Sequence, residues 1–252
     1  DTGIPGIIGG YGKERVIHAG TAGIFMDLRK IGDIVEAGET IAQIRTADAL
    51  VLPGVGSFYD AIAFMHESGQ DEAVLDAVRG GAGVPFLGIC LGLQLLFERG
   101  GEGVPTDGAA VESADPYGAG LAPGTVFEAE GRRWVRGLGL LHGSCTVLPS
   151  RRLKVPHVGW DQVHLTHSGS GHPLLQGFAE GTNVYFTHSY AVDTDIDPSD
   201  AVALTHYARN FASVVSHGNL YGCQFHPEKS SAHGHQILEN FVELARLSKG
   251  LE

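Results

Sequence analysis

Residues 84–98 read VPFLGICLGLQLLFE, and this stretch decides which fold the sequence predicts. Its first half is a short apolar run typical of a buried strand, and its second half has the apolar spacing of a helix. Cys90 lies where the two meet, with Gly88 two residues before it and Gly92 two residues after it. A strand that turns sharply into a helix needs small residues at these places and exposes the residue at the turn. The pattern therefore predicts a nucleophile elbow in which cysteine is the nucleophile.

An alternative interpretation of Cys90 is an inert core thiol, because buried cysteines commonly act as small apolar side chains. A nucleophilic thiol needs a base, and the base needs a group that orients it. The segment GCQFHPEKS (222–230) offers both, since His226 follows an apolar run and Glu228 follows Pro227. We expect Glu228 to reach back to one imidazole nitrogen while the other nitrogen faces the thiol.

The other histidines count for less, because the chain has 13 of them. Those in mixed polar surroundings are interpreted as ordinary surface residues: His164, His167, His172, His206 and His217. A histidine-rich metal site is a further alternative, although the sequence has no HExxH pattern.

The segments around the elbow repeat the order of strand and helix. An apolar run at 47–52 ends at Pro53-Gly54, and residues 58–69 and 71–81 have helical spacing. We predict a further helix at 91–100, short β-like runs between 145 and 226, and a closing helix at 233–249. This order predicts an α/β fold: a doubly wound, mostly parallel sheet flanked by helices.

Two segments depart from this order. Residues 101–136 are rich in Gly, Pro, Asp and Ser and indicate a surface insertion. Residues 1–43 form an atypical N-terminal segment, and GIFMDLRKIGDIVEAGETIAQI (23–44) has the pattern of half a lipoyl- or biotinyl-type β-hairpin. No lysine in a Met-Lys-Met context follows, so we expect a divergent or chimeric hairpin and not a carrier domain.

Composition excludes several classes of function. The formal charge is −12 and basic residues cluster only in pairs, which argues against nucleic acid or an anionic membrane as main partner. No apolar run approaches the ~18 residues of a membrane span, and no leader pattern stands at the start. The three cysteines show no CxxC spacing, so neither a disulfide framework nor a zinc site is indicated, and we expect a reducing, cytoplasmic setting.

Taken together, these motifs resemble the class I (triad) glutamine amidotransferases. Within that class, the combination of PGVGSF (53–58), KVPHVGW (154–160) and YFTHSY (185–190) is similar to the glutaminase subunit of imidazole glycerol phosphate synthase. The resemblance extends over about residues 44–247 and implies an amidotransferase domain at 44–252. It implies L-glutamine as substrate, a (βα)8 cyclase subunit as partner in histidine biosynthesis, and no cofactor or metal.

The resemblance also implies roles for particular residues. Cys90 would attack the glutamine carboxamide, His226 would transfer the proton, and Glu228 would orient His226. Leu91, Val55 and Gly56 would form the oxyanion hole. The implied substrate contacts are Gly54, Gln94, Glu102, Ser189 and Tyr190, and the implied cyclase contacts are Lys154, Pro156, His157, Val158, Gly159 and Trp160.

This sequence departs from the family pattern at the expected interface, where Val158 and Asp161 replace the usual Met and Asn. Asp161 adds a negative charge there. Three alternatives stay open at this point: another class I amidotransferase, a γ-glutamyl hydrolase, or a non-catalytic or chimeric scaffold. A free hydrolase would act without a partner and would have little use for KVPHVGW.

Overall fold

A computed structural model of the chain describes residues 22–26, 47–80, 83–150 and 152–250. The described elements are fourteen strands and four α-helices. The helices are α1 (Phe58–Glu67), α2 (Gln70–Arg79), α3 (Leu91–Gln94) and α4 (Ser231–Ser248). The strands are β1 (Ala22–Met26), β2 (Ala49–Gly54), β3 (Phe86–Cys90), β4 (Phe97–Gly100), β5 (Val111–Glu112), β6 (Val126–Ala129), β7 (Arg132–Arg136), β8 (Leu141–Val147), β9 (His157–Leu165), β10 (Thr182–His188), β11 (Tyr190–Val192), β12 (Ala201–Tyr207), β13 (Arg209–His217) and β14 (Leu220–Cys223).

The larger sheet contains eight described strands in the order β1-β2-β3-β14-β13-β12-β9-β10. At its centre β3 pairs in parallel with β2 on one side and with β14 on the other. Helices α1 and α2 connect β2 to β3, which is the kind of crossover that a parallel pair requires. The predicted α/β fold is confirmed.

Parallel pairing in this sheet is confined to those three central strands, so the prediction of a mostly parallel sheet is wrong and the sheet is mixed. The strands from β14 through β13, β12 and β9 to β10 all pair antiparallel. The turns that join β12 to β13 and β13 to β14 are one or two residues long, and such short connections permit only antiparallel neighbours.

Strand β1 is the described part of the N-terminal segment. It pairs antiparallel with β2, so it extends the sheet as an edge strand. The remainder of the predicted hairpin at 23–44, and the stretch before it, lie outside the described residues.

The smaller sheet has six described strands in the order β11-β8-β4-β7-β6-β5. The segment 101–136, expected as a surface insertion, contributes β5, β6 and β7 to it. Phe127, Ala129 and Trp134 bury their side chains together in a small separate cluster. The guanidinium of Arg99 lies 4.0 Å from the ring centroid of Trp134 and 4.4 Å from that of Tyr117.

The helix predicted at 91–100 is wrong in its length. Only Leu91–Gln94 are helical, and Phe97–Gly100 form β4, which pairs with β7 and β8. Three successive apolar side chains at 95–97 are fully buried. A run that is apolar on all sides suits a buried strand as well as a helix, so periodicity could not separate the two.

The other predicted helices are confirmed as α1, α2 and α4. Helix α4 buries Ile237, Phe241 and Ala245 against the larger sheet's core cluster, as its apolar face predicts. Leu247, near the end of the same helix, is exposed.

Candidate active site

Cys90 occupies a sharp elbow between β3 and α3. Its backbone has φ 55° and ψ −108°, a left-handed conformation that a side-chain-bearing residue rarely adopts. A Cβ at Gly88 would lie 2.6 Å from the carbonyl oxygen of Gly92, and a Cβ at Gly92 would lie 1.7 Å from that of Leu52. Both glycines are therefore sterically required, as the sequence pattern predicts, and the strain at Cys90 is of the kind found at functional sites.

His226 and Glu228 form a hydrogen-bonded pair beside this elbow. His226 Nδ1 lies 2.8 Å from Glu228 Oε1. His226 is buried, and its Nε2 has no hydrogen bond of good geometry to any residue that the structure describes. The Cys90 thiol is nonetheless close enough to His226 to perturb its titration. The imidazole thus has one nitrogen held by the carboxylate, and the ring is near enough to Cys90 for the thiol to raise its pKa.

The charges in this group reinforce each other. Burial lowers the pKa of His226, but the Cys90 thiol and the Glu228 carboxylate outweigh it and raise that pKa to about 9. Burial raises the pKa of Glu228, but the hydrogen bond and the charge of His226 give a net lowering. Near neutral pH the site therefore contains an imidazolium paired with a carboxylate.

Gln224 is a neighbour of the thiol that no sequence motif had indicated. Its side chain is fully buried, and its Nε2 lies 3.6 Å from Cys90 Sγ. The carbonyl oxygen of Thr187 lies 3.9 Å from the same sulfur. The sequence signal for this contact is that Gln224 is a polar residue inside the apolar run that leads to His226.

The loop after β2 runs beside the elbow. Gly54 is directly opposite Cys90 in the parallel pairing of β2 with β3. A Cβ at Gly54 would lie 3.0 Å from the Cβ of Leu91, so the loop and the start of α3 are in close contact. Val55 is exposed, and Gly56 has φ 109° with open space around it. The loop that carries Val55 and Gly56 therefore begins beside the elbow and Leu91.

Gln94 is buried and points towards residues near the thiol. Its Nε2 lies 2.8 Å from the carbonyl oxygen of Tyr190 and 3.0 Å from Gln224 Oε1. Its amino group therefore links β11 to Gln224. Ser189, next to Tyr190, accepts a backbone hydrogen bond from Leu148 through its carbonyl.

Glu102 lies beside the start of α1, where its carbonyl oxygen accepts a hydrogen bond from the Tyr59 backbone amide at 3.2 Å. Burial raises the pKa of Glu102 to about 7, against the lowering effect of a backbone hydrogen bond from Phe58. Burial also raises the pKa of Tyr190, and the charge of Glu102 adds to that effect. The charge of Glu102 thus acts on Tyr190.

The predicted partner segment forms the first part of β9 and the loop before it. Lys154, Pro156, Val158 and Trp160 are exposed, and Gly159 is half-buried with open space beside it. His157 differs, because its ring is buried between Tyr207, at a centroid distance of 3.9 Å, and Phe186, at 4.9 Å. Its side chain therefore supports this surface from below and is not part of it.

Strand pairing places this surface one strand away from the reactive groups. Val158 is opposite Thr187, whose carbonyl faces the Cys90 sulfur. Trp160 is opposite Tyr185, whose carbonyl oxygen accepts a hydrogen bond from the backbone amide of His226 at 2.9 Å. The exposed face of β9 is therefore separated from Cys90 and His226 by the single strand β10.

The remaining cysteines, Cys145 and Cys223, are buried, and burial raises the pKa of both thiols well above its ordinary value.

Within the described ranges, no group of three or more His, Cys, Asp or Glu side chains could hold a metal ion. Among the helices that the structure describes, none is long and apolar enough to cross a membrane.

The model for the family glutamine amidotransferase class-I matches residues 21–245. The chain therefore belongs to the class-I glutamine amidotransferases. Within that class it is 40% identical over 210 residues to imidazole glycerol phosphate synthase subunit HisH of Halalkalibacterium halodurans, which covers 83% of each chain. It is 38% identical to the HisH subunit of Moorella thermoacetica, with 87% of each chain covered. The HisH subunit of Chromobacterium violaceum is 35% identical and covers 91% of this chain and 97% of its own.

Solved structures agree on the fold. A glutamine amidotransferase superposes with a TM-score of 0.53 at 16% identity, covering 86% of this chain and 88% of that one. The glutaminase domain of Trypanosoma brucei CTPS gives a TM-score of 0.51 at 15% identity, covering 89% and 83%.

Proposed function

We propose that this chain is the glutaminase subunit of an imidazole glycerol phosphate synthase, hydrolysing L-glutamine and delivering ammonia to a (βα)8 cyclase. The observation that supports this most is the left-handed Cys90 beside the His226–Glu228 pair. An inert core thiol would need neither the strained backbone nor the two sterically required glycines. The similarity to HisH subunits supports the choice of this member of the class.

The chemistry proceeds in two halves. The Cys90 thiolate attacks the side-chain carbonyl carbon of glutamine and forms a tetrahedral oxyanion. His226, as imidazolium, gives its proton to the departing nitrogen, so ammonia leaves and a γ-glutamyl thioester remains. Neutral His226 then takes a proton from water, the hydroxide attacks the thioester, and glutamate departs with regeneration of the thiolate and imidazolium. Glu228 holds the imidazole in place and stabilises its positive charge in both halves.

The oxyanion would be held by backbone amides around the elbow. We assign the Leu91 amide and one amide of the Val55-Gly56 loop to this role. Val55 is exposed and Gly56 has open space around it, so docking of a partner on this loop can set which amide points to the oxyanion. We expect glutaminase activity to be low without the cyclase for that reason.

Glutamine itself would be held beside the thiol. Its α-ammonium group would pair with the Glu102 carboxylate. The rest of the amino acid would contact Gly54 and the Ser189-Tyr190 segment. Gln94 has its amino group committed to the Tyr190 carbonyl and Gln224, so we assign it the task of fixing these neighbours.

The cyclase would dock on the exposed part of β9. Lys154, Pro156, Val158, Gly159 and Trp160 would form the contact, with His157 packed beneath them. An exposed tryptophan beside an exposed valine is the composition expected of an interface anchor. Asp161 would add a negative charge at the edge of this contact.

The decisive experiment is co-purification with a histidine-pathway cyclase, followed by glutaminase assays with and without the cyclase's nucleotide ligand. We expect complex formation, glutamate production that rises when the complex is complete, and abolition by Cys90→Ala but not by Cys145→Ala. A glutamine-like diazo-ketone should label Cys90 and leave Cys145 and Cys223 unmodified. Full turnover without any partner would instead indicate a free hydrolase, and activity retained in Cys90→Ala would rule out the proposed mechanism.

A further inference from the structure

Gln224 is a buried amide in direct contact with the nucleophilic sulfur. Its Nε2 lies 3.6 Å from Cys90 Sγ, a distance suited to an N–H donor and the large sulfur acceptor. The side chain has no exposed surface. Its backbone amide donates to the Ser213 carbonyl at 2.9 Å, which fixes the main chain from which the side chain extends. A fully buried polar side chain of this kind needs its hydrogen bonds satisfied.

The neighbouring groups determine which end of the Gln224 amide faces the thiol. The Tyr190 carbonyl oxygen can only accept, so the atom of Gln94 that lies 2.8 Å from it must be the amino nitrogen. The same nitrogen lies 3.0 Å from the Gln224 side chain, so the Gln224 atom facing it must be the carbonyl oxygen. The amino group of Gln224 is thereby left to point at Cys90. The assignment follows from the network, because an amide flip at either residue would oppose two donors or two acceptors.

We propose that Gln224 is a hydrogen-bond donor that stabilises the Cys90 thiolate, oriented for this task by Gln94 and the Tyr190 carbonyl. The inference rests on the proposed function only in taking Cys90 as the nucleophile. A donor that is already aligned before the substrate arrives stabilises the anionic sulfur without further reorganisation. It acts in the resting enzyme and again when the thioester breaks and the thiolate is the leaving group.

Other groups also act on this thiol and must be separated from Gln224. The titratable ones are His226, with Glu228 behind it, and the buried Cys223. His188 faces the same cluster, but burial lowers its pKa to about 3, so it is neutral at working pH. The Thr187 carbonyl can only accept, so it favours the protonated thiol. Gln224 is the neutral donor in this environment, and its effect does not change with pH.

The test is the pH dependence of Cys90 alkylation by iodoacetamide, with mass spectrometry to read each cysteine. The variant Gln224→Met keeps the size of the side chain and removes the donor. We expect the alkylation midpoint, the pH at which Cys90 reacts at half its limiting rate, to rise by about one pH unit in this variant. Below that pH the rate should then be about tenfold lower, while the limiting rate at high pH is retained. The matched control is Gln176→Met, an exposed glutamine, which should leave the midpoint unchanged.

Two further variants keep the inference testable if Gln224→Met folds poorly. Gln224→Glu replaces the donor with an acceptor and should raise the midpoint further than Gln224→Met. Gln94→Met leaves Gln224 intact but unoriented, and should raise the midpoint by less. Cys145 and Cys223 report on packing, since both are buried and should remain unlabelled in every correctly folded variant.

An unchanged midpoint in a folded Gln224 variant, or in Gln94→Met, would overturn the inference. That result is independent of the proposed function, because iodoacetamide reacts with any thiolate whether or not glutamine is hydrolysed. Conversely, if Gln224→Met raises the midpoint at Cys90 but the wild-type chain never hydrolyses glutamine with its cyclase, the function is refuted and the hydrogen bond stands.

Discussion

His226 Nδ1 and Glu228 Oε1 lie 2.8 Å apart although a single residue, Pro227, separates them in the chain. The short turn of Pro227–Lys229 carries the carboxylate back towards the ring. The proposed base and the group proposed to orient it are therefore supplied by one short local segment. Only the nucleophile must be brought from elsewhere, and the parallel pairing of β14 with β3 does so.

Removing the Glu228 charge should alter the pH profile as well as the rate. The pKa of His226 is about 9 because Cys90 and Glu228 together overcome the effect of burial. In Glu228→Gln that pKa should fall, so the alkaline limb of kcat against pH should move to lower pH, and kcat should fall by about tenfold to a hundredfold. The exposed Glu239→Gln is the matched control. A variant with reduced kcat but an unshifted limb would show that Glu228 does not set the charge of His226.

The elbow should tolerate no side chain at Gly92. A Cβ there would lie 1.7 Å from the Leu52 carbonyl oxygen, and backbone cannot move aside without breaking the pairing of β2 with β3. We expect Gly92→Ala to lower the free energy of unfolding by about 3 kcal/mol, measured by urea titration. Gly108→Ala is the control: its φ of 86° is strained but nothing lies within 4 Å, so a loss of about 1 kcal/mol is expected. Equal losses in the two variants would mean that the elbow does not depend on this close approach.

The sequence predicted the centre of the fold because its constraints are local. The two glycines around Cys90 express a steric condition within five residues, and the His-Pro-Glu turn places its own carboxylate. Both can be inferred from short motifs without knowledge of the distant contacts. The two long helices on either side of Gly69 were predicted for the same reason, since their apolar periodicity is unambiguous.

The features that the sequence did not predict depend on distant partners. β4 is a strand because β7 and β8 pair with it, and those strands lie more than thirty residues further along the chain. Gln224 gains its task from Gln94, at a sequence separation of 130 residues. His157 is buried by rings from β10 and β12, which no local pattern around KVPHVGW indicates.

Glutamine affinity should weaken in mildly acidic solution. Burial raises the pKa of Glu102 to about 7, so this carboxyl is charged above that pH and neutral below it. If it pairs with the substrate ammonium, KM for glutamine should rise as pH falls through about 7, while kcat changes less. Glu102→Gln should have a high KM that no longer depends on pH in this range. Glu112→Gln, exposed on the same segment, should behave as wild type, and a Glu102→Gln enzyme with normal KM would exclude this contact.

The cyclase should lose affinity when the exposed indole of Trp160 is removed. Trp160 is 53% exposed on β9, directly opposite Tyr185, whose carbonyl holds the backbone of His226. Buried aromatic anchors contribute most to protein interfaces, so Trp160→Ala should raise the Kd for the cyclase by about tenfold or more in calorimetric titration. Leu247 is 62% exposed on α4, and Leu247→Ala should leave the Kd unchanged. Because Trp160 is opposite Tyr185, which holds the backbone of the proposed base His226, its loss should also lower glutaminase activity at saturating cyclase. Normal affinity in Trp160→Ala would place the docking surface elsewhere, since an anchor at the centre of the contact cannot be removed without cost.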